Sequence, residues 1–366
     1  MITIAEKYKC NGCTACHNIC PQNCITMQTD DEGFAYPLID KTKCTNCGLC
    51  TKICPILSKK TYPQIQSLKA FAAINNDEKI RLQSTSGGVF SALAEYVLNQ
   101  GGVVFGAGFD QNFVVRHMAC ENLQDLAGLR MSKYVQSDLG NTFNHVKKLL
   151  QEGRLVYFSG TPCQVAGLKS FLLRDYDNLI TQDVICHGVP SPLVWAKYLA
   201  YKTNGIRPAN VFFRDKTTGW RNSSFKIECN ENTYQTKRLG DPFMKMFAFN
   251  KILRPSCHKC HFKGDGHVAD ITLADFWGKA MKQYAQQFDD NKGCSLVISR
   301  TQKGENLITN LAKQKISCIC VPAAKALKGN PMYFKSTFAF LRPKNLGKHL
   351  STLPFEKFIK KYGKLI

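Results

Sequence analysis

Residues 10–21 read CNGCTACHNICP and residues 44–55 read CTNCGLCTKICP. The two segments share the spacing C-x2-C-x2-C-x3-C-P. Three closely spaced cysteines on a tight loop present thiolates to three corners of one 4Fe-4S cubane. The fourth, set just before proline, turns toward a second cluster. The spacing therefore assigns Cys10, Cys13, Cys16 and Cys54 to one cluster, and Cys44, Cys47, Cys50 and Cys20 to its partner. Gly12 and Gly48 suit the tight backbone that wraps each cluster, and the repeat is an internal duplication. A zinc site wants four ligands in two pairs, whereas this pattern supplies eight with a proline after each fourth. Cys24 falls outside the pattern and reads as a small buried apolar residue. Residues 1–60 are thus expected to form an α+β ferredoxin-like two-cluster module, which passes single electrons and has no substrate chemistry of its own.

Size and composition say what must lie beyond it. The chain has 366 residues; at about 150 residues per domain that is two or three domains, enough to bury a core without staples. The 18 cysteines therefore ask for chemistry, and their crowding near the start points to metal. The opening residues lack the pattern of a secretory signal, and no apolar run reaches the ~18 residues of a membrane span. A reducing cytoplasm is the expected setting. The formal charge is +22; with about −2 for each oxidised cluster and its thiolates, two or three clusters bring it to about +16 to +18. The protein remains basic, which suits an acidic redox partner, a small anionic electron carrier or substrate, or an anionic surface. No nucleic-acid-binding motif accompanies the charge.

Ser58 to Gln66, with Lys59, Lys60 and Pro63, reads as a linker, bounded as residues 61–67. Strands and helices then alternate, giving an α/β domain over residues 68–325. Expected strands are Lys69–Ile74, Val103–Phe109, Leu155–Phe158, Leu179–Ile185, Val211–Phe213, Ile271–Ala274 and Ser295–Ile298. Helical spacing fits Val89–Asn99, Thr142–Gln151, Val165–Leu173 and Leu193–Thr203. Residues 326–366 form a basic C-terminal extension. In it Phe334, Phe338, Phe340, Phe355 and Phe358 interleave the charges, a pattern that fits packed helices, a partner or a membrane surface.

Three loops of the α/β region carry candidate chemistry. Ser84, Thr85, Ser86, Gly87 and Gly88 stand directly before a helix, where free N–H groups and hydroxyls suit a phosphate as well as a plain cap. The strand ending at Phe158 runs into Ser159-Gly160-Thr161-Pro162-Cys163, with Thr161 as N-cap and Pro162 at the first helical position. The next strand ends in Cys186-His187-Gly188. In a parallel sheet both cysteines fall at the carboxyl edge, where such sheets bind ligands. With the CxxC of Cys257 and Cys260, flanked by His258 and His261, Cys163 and Cys186 would complete a ligand set for a third 4Fe-4S cluster. Other readings of these residues stand beside it: a nucleophilic Cys163 at a helix start, zinc or a redox dithiol at the CxxC, or plain buried thiols. Asp270 and Asp275 fit turn caps, ribose contacts or ordinary loop carboxylates, and Trp277 fits the core better than a stacking platform.

The order of these motifs resembles the coenzyme F-420 hydrogenase/dehydrogenase beta-subunit family. It runs from the cysteine module through STSGGVF (84–90), KYVQS (133–137), SGTPCQ (159–164), CHGVP (186–190) and the CxxC to ADFWG (274–278), and also looks related to plant 7-hydroxymethyl chlorophyll reductase. The resemblance implies an α/β flavin-binding domain that holds FAD and exchanges electrons with 4Fe-4S clusters, the third at Cys163, Cys186, Cys257 and Cys260. It makes Ser84, Ser86, Gly87, Gly88, Gly160 and Thr161 candidates for flavin contacts, and Lys133 and His187 candidates for the reacting site. FAD converts one-electron traffic from clusters into two-electron transfer to an organic substrate. The expected function is an iron-sulfur flavoprotein oxidoreductase; the alternative is an electron-transfer adaptor without its own substrate site.

Overall fold

The computed structural model describes residues 2, 6–58, 68–230 and 232–364; the expected linker at 61–67 lies outside the described residues. In the N-terminal module, short helices Ala15–Ile19 and Leu49–Lys52 flank an antiparallel pair, Ile25–Thr29 with Ala35–Ile39. Both helices start from left-handed residues inside the cysteine loops, Thr14 (φ 58) and Gly48 (φ 75). That tight turn is what lets three sulfurs face one centre.

Beyond the module lies an eight-stranded mixed sheet in the order 316–321, 69–75, 295–299, 271–275, 179–184, 156–159, 103–109, 115–120. The strands at 271–275, 179–184, 156–159 and 103–109 run parallel, and the flanking pairs are antiparallel. Central strands buried on both faces read as continuous apolar runs: Val103, Val104 and Phe105 are buried, as is all of Ser295–Ser299. Helix Val89–Leu98 is apolar nearly all round and lies buried with Val104 and Tyr157 on one face. Helices Thr142–Gln151 and Pro162–Leu172 cover the other with Phe143, Val146, Val165 and Phe171. The chain is therefore mixed α/β, with a ferredoxin-like region ahead of a large α/β domain.

Several expectations change here. Val211–Phe213 is not part of the main sheet; it belongs to a separate antiparallel sheet of 210–215, 224–228 and 233–237. Strands Val115–Cys120 and Ile316–Val321 went unrecognised because they are edge strands with mixed polarity, which blunts the periodic signal. Within 326–366, helices Leu346–Thr352 and Phe355–Tyr362 bury Leu346, Leu350, Phe358, Ile359 and Tyr362 against Trp195 and Phe243. Phe358 and Phe355 thus pack inward, whereas Phe334, Phe338 and Phe340 are exposed. Among the described residues no helix is long and apolar enough to cross a membrane.

The cysteine module is bolted to the α/β domain by polar contacts at close range. Asn18 Nδ2 donates to Gly140 O (2.9 Å), and Asn144 Nδ2 donates to Asn18 Oδ1 (3.1 Å). Gln136 Nε2 donates to Asn11 O (3.1 Å). Arg342 pairs with Glu32 and donates to Leu253 O (3.1 Å), so the C-terminal segment spans both units.

Candidate redox site

The eight patterned cysteines fall into two groups. Burial first, then the Cys10 and Cys54 thiols, push Cys16 up to about 12. Cys13 is raised by burial and by Cys16, Cys54 and Cys10 around it. Cys54, from the second run, has turned into the first group. Cys20 in turn lines a small cavity with Cys44, Cys47 and Cys50. The two groups are those the spacing assigns. Cys24 is buried, as expected, yet its sulfur sits 3.3 Å from that of Cys20 and lines the same cavity, making a fifth thiol there. Only its distance of four residues from Cys20 hints at this in sequence.

The donor set fits iron-sulfur clusters. Thiols raised by burial are protonated at neutral pH unless positive charge binds them, which is what iron supplies. Among the described residues no three Cys, His, Asp or Glu close around a single-ion position. Tetrahedral zinc would gather four sulfurs to within about 4 Å of one another, whereas a cubane spreads them over its corners. Buried polar atoms without partners also cluster in these loops: Asn11 Nδ2, Thr51 Oγ1 and, beside the CxxC, His258 Nε2. Such orphans are what a bound group satisfies.

Cys163, Cys186, Cys257 and Cys260 come together from distant places in the chain. Adjacent parallel strands 156–159 and 179–184 carry Cys163 and Cys186 past their carboxyl ends, and the 3-10 turn Pro255–Lys259 brings up the CxxC. Cys257 is raised by burial and by the Cys186, Cys163 and Cys260 thiols. Cys186 is pushed up to about 11 by burial, with the Lys263 cation opposing. Val189 N–H donates to Cys257 Sγ (3.4 Å), and Thr161 Oγ1 lies 3.2 Å from Cys163 Sγ. Burial also raises Cys163, with Cys260, Cys186 and Cys13 adding to it. The quartet therefore abuts the Cys10 group.

On the other side of Cys186 opens a cavity of about 650 Å³, within the ~300–1,000 Å³ usual for ligand sites. Ser84, Ser86, Gly88, Gly160, Thr161, Lys133 and His187 all line it. Gly87 does not: its N–H is bonded to Ser295 Oγ (3.0 Å), and a side chain there would lie 2.7 Å from Ser295 N, so it packs on the sheet. Gly88 has φ 86 and opens helix Val89–Leu98, as the left-handed region favours. Thr161 N–H donates to Gln164 Oε1 (2.8 Å) at the start of the next helix. Burial pulls Lys133 down to about 7, and its Nζ donates to Arg130 O (2.6 Å) and Gly128 O (2.9 Å). His187 is lowered by burial, and its Nε2 lies 2.7 Å from Asn250 Oδ1. Arg130, Arg214 and Arg238 also face this space.

Sequence reading missed the anchors Lys216 and Arg214 and left the role of Asp270 open. Lys216 Nζ donates to the carbonyls of Arg81, Ser86 and Lys292 (2.8, 2.6 and 2.7 Å), tying the 84–88 loop down. Arg214 pairs with Asp275 beneath Trp277, which stacks on Trp220 at 4.0 Å. Asp270 accepts from Thr181 N (2.8 Å) and Thr301 Oγ1 (2.8 Å), which makes it a structural bolt. Only contacts far apart in sequence reveal these roles.

Beneath the cavity floor, His117 is buried between Ser137 Oγ (2.9 Å) and Ser159 O (3.0 Å), and burial lowers it to about 4. Its unfolded value is ~6.5, so as pH falls the unfolded chain takes the proton first and stability is lost. Between pH 7 and pH 5 the loss is about 2 kcal/mol. Urea unfolding under anaerobic conditions is expected to show His117→Gln losing less over this interval than the wild type; equal losses would exclude His117 as the source.

Residues 9–56 match the 4Fe-4S dicluster domain, and residues 153–322 match the family model for the C-terminal part of the coenzyme F420 hydrogenase/dehydrogenase beta subunit. A solved structure of the F420-reducing [NiFe] hydrogenase complex from Methanosarcina barkeri, xenon-derivatised, is similar in fold. The identity is 17%, the TM-score is 0.51, and the match covers 81% of this chain and 92% of that one. No curated protein matches the chain. Over residues 153–322 the chain is thus similar to the C-terminal part of the coenzyme F420 hydrogenase/dehydrogenase beta subunit, and over residues 9–56 it carries a 4Fe-4S dicluster domain.

Proposed function

We propose that the chain is an iron-sulfur flavoprotein oxidoreductase that passes electrons through three 4Fe-4S clusters to or from an organic substrate beside FAD in the 650 Å³ cavity. The observation that carries this reading is the double place of Cys186, which belongs to the thiol quartet and to the cavity wall. A group in the cavity is then next to the last cluster, and the Cys13 to Cys163 approach links that cluster to the N-terminal pair. FAD, when bound, supplies the exchange between one-electron and two-electron chemistry. The 84–88 loop and the Gly160-Thr161 turn would hold its phosphates and ribityl chain, with Arg130 and Arg238 lending positive charge. His187, steadied by Asn250, is placed to give or take a proton, and Lys133 to hold an anionic group at the reacting face.

A redox protein or a small electron carrier would meet the chain at the outer cluster, where Cys47 is exposed beside Lys43 and Lys52. None of the 18 cysteines is in a disulfide, which suits a reducing cytoplasm. The adaptor reading is weaker because it leaves the cavity without a purpose. Anaerobic purification with iron, sulfide and flavin counted on one sample is expected to give about twelve irons and one FAD. About eight irons with no flavin would retire the catalytic reading in favour of the adaptor.

A further inference from the structure

Arg254 is 1% exposed and lies at the seam between the cysteine module and the α/β domain. Its Nε donates to Cys10 O (2.7 Å), one Nη to Gln136 Oε1 (3.0 Å), and the other to Ala35 O (2.9 Å) and, at 3.6 Å, to Cys10 Sγ. The guanidinium also faces the rings of Tyr36 (4.4 Å) and Phe34 (5.4 Å). Every oxygen it reaches is neutral, and among the described residues it has no ion pair with a carboxylate. The nearby acids are engaged elsewhere: Glu32 with Arg342, and Asp30 and Asp31 with Lys7.

A buried guanidinium without a counter-charge is costly, because burial strips its hydration and neutral carbonyls return only part of it. A cluster bound at Cys10, Cys13, Cys16 and Cys54 would carry about −2 with its thiolates and would lie against the Cys10 sulfur. We infer that Arg254 is a positioning and tuning residue for this inner cluster: the cluster is its counter-ion, and its N–H to the Cys10 thiolate raises the cluster's reduction potential. Reduction adds negative charge, and a nearby cation and a hydrogen bond to ligand sulfur both favour that state. Arg254 also anchors the third group, since its own N–H donates to Val189 O (3.0 Å) and its carbonyl accepts from Cys257 N (3.0 Å). An electron arriving at the outer cluster would be drawn inward to the cluster that touches the quartet. The inference rests on the dicluster assignment, which the iron count of the wild type tests separately.

The test is a redox titration followed by electron paramagnetic resonance on wild type, Arg254→Gln and Arg254→Lys, each with its iron content measured. With full iron, R254Q is expected to move one cluster midpoint to more negative potential while the others stay. A tenfold change in electron partition corresponds to about 59 mV. R254K, which keeps the charge, is expected to fall between. Full iron with every midpoint unmoved in R254Q overturns the inference. Should R254Q not hold its iron, the wild type labelled with 15N-arginine decides: a guanidinium nitrogen coupling to a reduced cluster supports the inference, and its absence overturns it. A contact serving only to glue the two units would leave every midpoint unmoved in a variant that holds its iron.

Discussion

Cys186→Ser is expected to leave purification with about eight irons where the wild type holds about twelve, and with the N-terminal cluster signals intact. The quartet draws its ligands from two sheet-edge loops and one CxxC, and serine replaces a soft thiolate with a hydroxyl that iron binds far less well. Because Cys186 stands between quartet and cavity, the effect should reach beyond stoichiometry. Dithionite should still reduce the two N-terminal clusters, while electron delivery to a bound flavin falls by at least about a hundredfold, the order seen when a metal site's ligand shell is broken. The fold should survive, since Cys186 is only partly buried and the adjoining strand 179–184 is held on both sides by parallel partners. Twelve irons retained in the variant would show that Cys186 is not a ligand and would end its assignment to the third cluster. A loss of all twelve would show that the clusters assemble as one unit.

The N-terminal groups were readable from sequence because all their ligands lie in two short runs whose spacing is itself the geometry. The quartet was readable only as a set of sheet-edge loops, and what joined Cys163 and Cys186 in advance was the expectation of adjacent parallel strands, which the register of 156–159 on 179–184 bears out. Ser84, Ser86, Gly88, Gly160 and Thr161 share the cavity for the same reason, since each follows a strand or opens a helix at that edge. Gly87 failed because a helix-start motif does not say which of two neighbouring glycines faces the ligand and which the sheet. Arg254, Lys216 and Arg214 were invisible because their partners are scattered along the chain and are mostly backbone carbonyls, which leave no residue-type signature. Phe355 and Phe358 pack inward on a helix, the first of the readings their pattern fits; charge interleaving alone could not choose it, because a helix with one buried face and one basic face produces that pattern as readily as a membrane-binding one.

Gly167→Val is expected to uncouple the N-terminal clusters from the cavity while iron loading stays near that of the wild type. Gly167 lies within helix Pro162–Leu172, where an exposed glycine would cost about 1 kcal/mol relative to alanine. Here the sign reverses. A β-carbon at Gly167 would sit 2.8 Å from Cys13 Cβ and 3.0 Å from Cys13 Sγ, and Cys13 is a patterned cysteine that cannot swing away without leaving its group. Either the helix or the cysteine loop must retreat. Overpacking of this kind costs about 1–3 kcal/mol, more than the helix regains from losing glycine. Cys163 rides in the first turn of that helix, so retreat widens the gap between Cys13 and Cys163 across which the two cluster groups meet. Stopped-flow reduction should then show the N-terminal clusters filling at the wild-type rate and the flavin lagging, with Gly167→Ala between the two. If the flavin in Gly167→Val is reduced as fast as in the wild type, electrons do not cross at Cys13 and Cys163, and the route to the cavity runs through another contact.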